Sequence, residues 1–363
     1  MRVLIAPDKF KGTLTAKQAA AAMAEGVRRV WPDAEIVQCP MSDGGEGFVD
    51  VLCDALDGRR LTRTVTGPLP DMRVDAEMGL LPDGTTVIEM ASAAGLALLR
   101  EDQRNPMNTT TFGVGELIRF AVGMDARHVI LGLGGSATID AGIGCLQALG
   151  CPITLEKGQI VTADDDPLCG RDIGQVIAIG RPGLADGLAL EIACDVTTRL
   201  TDAARTFGPQ KGATTDQVDH LDTALRQLAK RLGNGDMAGT GAAGGLGWGL
   251  SLVLDATLTP GIELIGNHGH FMAEVSSAQL VLTGEGCYDA TSSDGKVVGY
   301  VELVTRAKTG VDVIAFCGSR TPTKTDVCEV VTLTSRVGKD AALAEPARHL
   351  ADAVAERLAS SDT

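Results

Sequence analysis

Charged side chains in this chain recur beside glycines, just past short apolar runs. Asp8, Lys9, Lys11 and Gly12 follow the run Arg2–Ala6, and Asp43 and Glu46 sit among Gly44, Gly45 and Gly47 after Glu35–Cys39. Asp195 follows Leu190–Ala193, and Lys211 lies between Gly208 and Gly212. Glu285, Asp289 and Lys296 follow Gln279–Leu282, with Gly284, Gly286 and Gly295 interspersed. A lysine at such a place neutralises an anion, a carboxylate holds a cation or takes a proton, and glycine lets backbone N–H groups approach a ligand. Each type also has an ordinary use: a lysine on a solvated loop, an aspartate in a turn or a helix cap. Asp43 and Glu46 together exceed what one cap requires, and a metal or a substrate hydroxyl is the sharper reading.

The stretch Val129–Gly150 adds a place for the anion itself. Val129, Ile130 and Leu131 read as a buried strand end that Gly132, Gly134 and Gly135 break. Ser136 or Thr138 then caps a helix whose apolar positions Ile139, Ile143, Leu146 and Leu149 recur every three to four residues. Strand, glycine turn and helix N-terminus together favour negative charge. Further on, Gly239–Gly247 contains a literal G-x-G-x-x-G (Gly239, Gly241, Gly244), with Gly245 adjacent. No apolar strand precedes it, so it is no dinucleotide fingerprint. It either packs closely on another element or exposes N–H groups to phosphate.

The elements that must position these residues alternate in type. Arg2–Ala6, a helix capped by Thr13 or Thr15, Glu35–Cys39 and a helix with Phe48, Val51, Leu52 and Ala55 inward read as β-α units. Arg63–Thr66, Val74–Leu80 and Thr85–Met90, parted by proline and glycine turns, read as antiparallel hairpins that open a second domain. Val176–Ile179, Leu190–Ala193, Gln279–Leu282, Val311–Phe316 and Val330–Leu333 are further strands, and a helix over 342–358 closes the chain. The expected architecture has one discontinuous domain, residues 1–60 and 275–363, with an inserted mixed α/β domain, residues 61–274. Open α/β sheets bind ligands beyond the carboxyl ends of their strands, where these charged loops fall.

Composition narrows the function. Hydrophobic residues at 44% and charged residues at 22% fit a globular enzyme rather than disorder, and 45 glycines against 3% aromatics suit an α/β protein with many backbone-lined loops. A net charge of −15 argues against nucleic acid or an anionic membrane as partner. It leaves room for a phosphorylated small molecule. Nine cysteines, an odd number without a C-x-x-C pair, fit a reducing compartment, and the opening MRVLIAPDKFKG is too short in apolar residues for a signal peptide. The expectation is a cytoplasmic protein. His268 and His270 lack a third ligand at suitable spacing, no Ser-His-Asp order stands out, and Val297 after Lys296 rules out the P-loop signature.

Seven loops, DKFKG, PMSDGGEG, GLGGSAT, CDV, FGPQKGA, GTGAAGGLG and LTGEG, together resemble the bacterial glycerate kinase family, in the same order and at similar spacing to about Gly318. The resemblance implies ATP-dependent phosphorylation of (R)-glycerate to 2-phosphoglycerate, or 3-phosphoglycerate in some members. It also implies two α/β domains, one flavodoxin-like and discontinuous, with the active site in the cleft between them. On that reading Gly134, Gly135, Ser136, Gly241, Gly244 and Gly245 hold phosphates. Lys9, Lys11, Lys211 and Lys296 supply cations, with Lys9 and Lys211 catalytic. Lys11, Glu46, Glu285, Asp289 and Lys296 meet the substrate. Asp43, Asp195 and Glu285 are candidates for Mg²⁺, and Asp195, then Asp43, for the base. The partners are ATP and a small hydroxy acid, in a monomer or a homodimer.

Four motifs depart from the family's pattern. Ile139 stands in GGSATND, Thr198 and Arg199 in DVxNP, Cys287 in GEGR, and Thr291 where a glutamine is usual. An arginine and amide side chains are lost from strand-end loops. Two alternatives follow: a kinase of a related hydroxy acid, or a weakened descendant that binds nucleotide or metabolite as a sensor. A nicotinamide oxidoreductase has only the G-x-G-x-x-G in its favour.

Overall fold

The computed structural model describes residues 1–42, 47–183, 187–292, 296–323 and 325–360. The chain divides into two compact units: unit 1 is Met1–Asp43, Asp50–Ala55 and Ile262–Thr363, and unit 2 is Gly44–Val49 and Leu56–Gly261. In chain order, unit 1 opens with β1 (Arg2–Ile5) and β2 (Glu35–Gln38). Unit 2 holds β3 (Arg59–Thr66), β4 (Arg73–Leu80), β5 (Thr86–Glu89), β6 (His128–Gly132), β7 (Ile153–Leu155), β8 (Ile160–Val161), β9 (Val176–Ile179), β10 (Ala189–Ala193) and β11 (Thr257–Thr259). The chain returns to unit 1 for β12 (Leu280–Tyr288), β13 (Val313–Arg320) and β14 (Glu329–Thr332).

Unit 1 is a five-stranded parallel sheet in the order β14-β13-β12-β1-β2. Counted within the sheet this is the flavodoxin-like order 2-1-3-4-5, whose direction of winding reverses between β1 and β12. The apolar runs VLI of β1 and LVL of β12 are buried, as a parallel strand covered on both faces requires. Helix Ala16–Val30 begins at a capping box: Thr15 Oγ1 accepts the Gln18 N–H at 3.1 Å and Gln18 Oε1 accepts the Thr15 N–H at 2.9 Å. Its alanine-rich face seats against helix Pro346–Ala359, close enough that a Cβ on Gly26 would lie 2.5 Å from the Ala351 carbonyl oxygen. Ala19, Ala20, Met23, Val27, Leu350 and Val354 close that core.

Unit 2 carries a six-stranded mixed sheet, β11-β10-β6-β5-β4-β3. Its first four strands are parallel, and β4 and β3 add an antiparallel hairpin edge, as the alternating segments predict. A small sheet β8-β7-β9, antiparallel throughout, lies elsewhere in the unit; the sequence reading found only β9 of it. Strands of two and three residues carry too little periodicity to be read.

Three sequence expectations change. Residues 262–274, expected in the insert, group with unit 1, where the Arg2–Glu274 ion pair and the Phe271–Tyr300 ring contact hold them. β12 does not end at Leu282 but runs nine residues to Tyr288, so Glu285 lies on a strand rather than on a loop. The helix after β6 starts at Ile143, not at Ser136 or Thr138, and Ile139 belongs to the loop before it. No described helix is long and apolar enough to cross a membrane.

Candidate active site

In unit 1 the charged residues gather at the carboxyl ends of β1 and β12, beside the reversal point. β1 pairs with β12 as far as Ile5↔Leu282, and the two backbones stay together beyond it: the Ala6 N–H donates to the Leu282 carbonyl at 2.7 Å and the Asp8 N–H to the Gly284 carbonyl at 2.8 Å. Asp8 is buried, and its Oδ1 takes the Lys9 N–H at 2.7 Å. Lys9 is half-buried and Lys11 exposed. On its other side β12 pairs with β13 through Tyr288↔Arg320. Gly284 is packed so closely on that side that a Cβ would stand 1.9 Å from the Phe316 carbonyl oxygen.

Glu285, one residue on, is 7% exposed, and its Oε1 has no hydrogen-bond partner among the described residues. Burial lifts its carboxyl to about 7, against a Ser292 hydrogen bond and the nearby Lys296 charge, which pull the other way; Asp8 and Asp289 reinforce the rise. Asp289 behaves differently. Its Oδ1 accepts the Thr291 N–H at 2.8 Å and the Thr291 hydroxyl at 2.5 Å, and these bonds hold its carboxyl below the usual range. Lys296 precedes helix Val297–Lys308. Asp43 and Glu46 lie outside the described residues.

Unit 2 brings a second set to the carboxyl end of its parallel strands. After β6, Gly134 is half-buried, Gly135 exposed at φ +73°, and Ser136 half-buried. The Leu96 N–H donates to the Gly135 carbonyl at 2.8 Å and the Ala137 N–H to the Ala94 carbonyl at 2.9 Å, which pins the loop on both sides. Lys211 does not reach solvent. It is 2% exposed, and its ammonium donates to Ser136 Oγ at 2.7 Å and to the Thr138 carbonyl at 2.8 Å. Burial depresses its amine to about 7, with the Asp140 charge opposing. Asp195, past the end of β10, is exposed and accepts the Gly261 N–H at 2.8 Å.

The helix start beyond this loop and the second glycine run both carry internal bonds. The start of helix Ile143–Ala148 is already occupied by the chain's own acid: Asp140, wholly buried, accepts the Gly142 N–H on Oδ1 at 3.0 Å. Its Oδ2 takes both the Thr111 N–H and the Thr111 hydroxyl at 2.7 Å. Desolvation raises its carboxyl, and these hydrogen bonds oppose the rise. In the second glycine run, the Gly241 N–H donates to the Thr198 carbonyl at 2.9 Å and the Gly244 N–H to the Gly241 carbonyl at 3.1 Å. A Cβ on Gly244 would lie 2.1 Å from the Thr138 carbonyl oxygen, and one on Gly245 2.7 Å from Ala141 Cα. Gly241, Gly244 and Gly245 are therefore glycines of close approach, Gly241 against the Thr198–Arg199 backbone and Gly244 and Gly245 against that of residues 138–141. Of the two readings left open for this run, close packing describes it.

The sequence reading passed over Asp140, Thr111 and Ser292 as site residues. A single acid inside the apolar run TIDAGIG was the available signal, since a carboxylate is seldom fully buried without partners. No group of three or more His, Cys, Asp or Glu side chains is arranged to hold a metal among the described residues.

The family model described as Glycerate kinase family matches residues 3–361. The chain belongs to the glycerate kinase family. A glycerate kinase of Bacillus subtilis (strain 168) is 43% identical over 88% of this chain and 85% of its own length. One of Haemophilus influenzae is 41% identical over 87% and 86%, and a glycerate 2-kinase of Escherichia coli (strain K12) 39% identical over 88% and 86%. A solved structure from Salmonella typhimurium LT2, provisionally described as glycerate kinase 2, superposes with a TM-score of 0.86 at 38% identity, covering 100% of this chain and 98% of that one.

Against the glycerate kinase pattern, the departures fall in differing environments. Ile139 is wholly buried in the unit 2 core. Thr198 is held through its backbone carbonyl, and Thr291 uses its hydroxyl on Asp289. Cys287 alone is a replaced side chain that is both exposed and at the carboxyl end of β12.

Proposed function

We propose that this chain transfers the terminal phosphoryl group of ATP to a hydroxyl of glycerate. The observation that carries the reading is the β1/β12 reversal point: buried Asp8 and Glu285 with Lys9 nearby, in a member of the glycerate kinase family. Phosphoryl transfer needs alignment and charge neutralisation more than it needs a covalent partner. Lys9, Lys11 and Lys296 offer ammonium groups to phosphate oxygens and to the glycerate carboxylate. In unit 2, Gly134, Gly135 and Ser136 offer a pinned loop to an anionic oxygen.

ATP would come with magnesium, whose charge neutralises the phosphates. Oε1 of Glu285, without a partner among the described residues, is a hard oxygen donor and fits one position of such an ion. Magnesium is commonly held by one or two carboxylates together with substrate phosphates, so no larger cage is needed. Asp289, already bonded to Thr291, holds the turn beyond β12. Asp195 at the end of β10 is our choice for the carboxylate that takes the hydroxyl proton, and the 2-hydroxyl for the acceptor, as in the relative named glycerate 2-kinase. With nine free cysteines, we place the enzyme in the cytoplasm.

The test is ADP release from Mg-ATP with (R)-glycerate and a panel of small hydroxy acids, followed by phosphorus NMR of the product. Glycerate turned over well above the others, with phosphate on the 2-oxygen, is the expected result. Preference for another acid would mean that Cys287 and its neighbours re-aim the pocket. Nucleotide binding without turnover would make the chain a sensor.

A further inference from the structure

Lys211 presents a puzzle, because a lysine at the end of a glycine-rich loop reads as a cation for the ligand, yet its ammonium is buried and turned inward. Two of its hydrogens go to Ser136 Oγ and the Thr138 carbonyl, at 2.7 and 2.8 Å. Nothing about that arrangement lets the ammonium touch a reactant. Ser136 is different: it is half-buried, its loop is pinned through Gly135 and Ala137, and its hydroxyl proton has no acceptor among the described residues. A hydroxyl has one donor and two lone pairs. Once an ammonium occupies its acceptor side, its own proton is directed away from that partner, and the polarised O–H is a stronger donor.

We propose that Lys211 is a positioning residue that fixes Ser136 as a hydrogen-bond donor to an anionic oxygen of the reactants. This rests on the kinase reading above. The oxygen belongs to either the substrate carboxylate or a nucleotide phosphate, both of which accept such a bond. The glycine neighbours serve the same end: Gly135 at φ +73° turns the chain so that Ser136 follows an exposed backbone, and Gly212 at φ +85° sits where a Cβ would stand 2.3 Å from the Arg104 carbonyl oxygen, which lets Lys211 enter the interior. Asp140 keeps an opposite charge within electrostatic reach of the buried ammonium.

The experiment titrates full-length protein calorimetrically with (R)-glycerate and, separately, with the ATP analogue AMP-PNP plus magnesium. The proteins are the wild type, Ser136→Ala, Ser136→Thr, Lys211→Met and the Ser136→Ala/Lys211→Met double variant, with steady-state kinetics and melting curves in parallel. Loss of a hydrogen bond to a charged group predicts that Ser136→Ala weakens one ligand about tenfold or more and leaves the other within about twofold. The ligand affected identifies the source of the oxygen. Ser136→Thr, which keeps the hydroxyl, retains most of the affinity. Lys211→Met weakens the same ligand, and the double variant is no weaker than the worse single variant. Multiplying losses would mean that Lys211 acts independently of Ser136 and would overturn the proposal. So would a Ser136→Ala protein that binds both ligands normally. If Lys211→Met does not fold, the Ala and Thr variants at 136 still decide whether the hydroxyl is a donor to ligand. A wild type that binds glycerate or nucleotide but turns over none refutes the kinase reading alone, while the Ser136 comparison still decides the positioning role. A wild type that binds neither refutes both.

Discussion

Replacing Glu285 by glutamine should make unit 1 more stable at alkaline pH and leave it unchanged in acid. The carboxyl is buried, one of its oxygens has no partner among the described residues, and its folded-state pKa is lifted from 4.5 to about 7. Each tenfold change in proton affinity is worth about 1.4 kcal/mol, so holding Glu285 ionised inside the fold costs roughly 3 kcal/mol. The sign follows from linkage. Because the folded pKa is raised, the fold binds the extra proton between pH 4.5 and about 7, and its stability falls as pH rises through that window. Below the window the acid is protonated in both states and contributes no deficit. Glutamine keeps the shape and an acceptor for Ser292 but cannot ionise. Calorimetric melting of wild type and Glu285→Gln, without nucleotide and in EDTA, should coincide at about pH 4, below the folded and unfolded values alike. At about pH 8 the variant should melt higher by roughly 6–12 °C, given about 2–4 °C per kcal/mol for a unit of this size. A variant that melts lower than wild type at that alkaline pH, or a difference independent of pH, would refute the assignment of Glu285 as a buried acid held near neutrality.

Further expectations concern unit 2 and the end of β12. Asp140→Ala removes the acceptor of the Thr111 and Gly142 N–H groups and should cost unit 2 about 3–5 kcal/mol, read as a lowered melting transition. Gly244→Ala places a Cβ against the Thr138 carbonyl at positive φ; clash and strain of about 3 kcal/mol or more should abolish folding of unit 2 or lower its melting point by roughly 10 °C. Gly135→Ala, whose Cβ would meet only Ala91 Cβ at 3.2 Å, should cost at most about 1–2 kcal/mol of backbone strain. Cys287→Arg, at an exposed position, should leave stability within about 0.5 kcal/mol, while steady-state kinetics show a lower KM for one of the two anionic reactants.

Much of the framework was legible because it depends on period and punctuation. Apolar runs ending in proline or glycine marked β1, β2 and β6, an apolar run ending at Cys194-Asp195 marked β10, and alternation marked the β3-β4-β5 edge. The charged loops past those ends could be named for the same reason. What escaped depends on where side chains and backbones meet in space. Nothing local distinguishes Gly244, packed against a carbonyl, from a glycine that opens its N–H to a ligand. Nothing in FGPQKGA says that Lys211 turns inward, because the acceptors, Ser136 and Thr138, lie over seventy residues earlier. The helix expected from Ser136 begins at Ile143 because Asp140 draws the intervening backbone onto its carboxylate, and an aspartate read alone suggests a cap.

The pairing of β1 with β12 also sets an order of events during synthesis. Hydrogen-bonded partners such as Thr283 Oγ1 and the Ala6 carbonyl stand 277 residues apart, and helix Ala16–Val30 seats against Pro346–Ala359. At the ribosome's rate of about 5–20 residues per second, the opening strands therefore wait tens of seconds for their neighbours. All of unit 2 emerges in that interval and can fold from contacts it already possesses. β1 precedes all of unit 2 in the chain yet is among the last strands to find its neighbour, with its apolar edge exposed until then, which makes this nascent segment the point where the enzyme most needs shelter from aggregation.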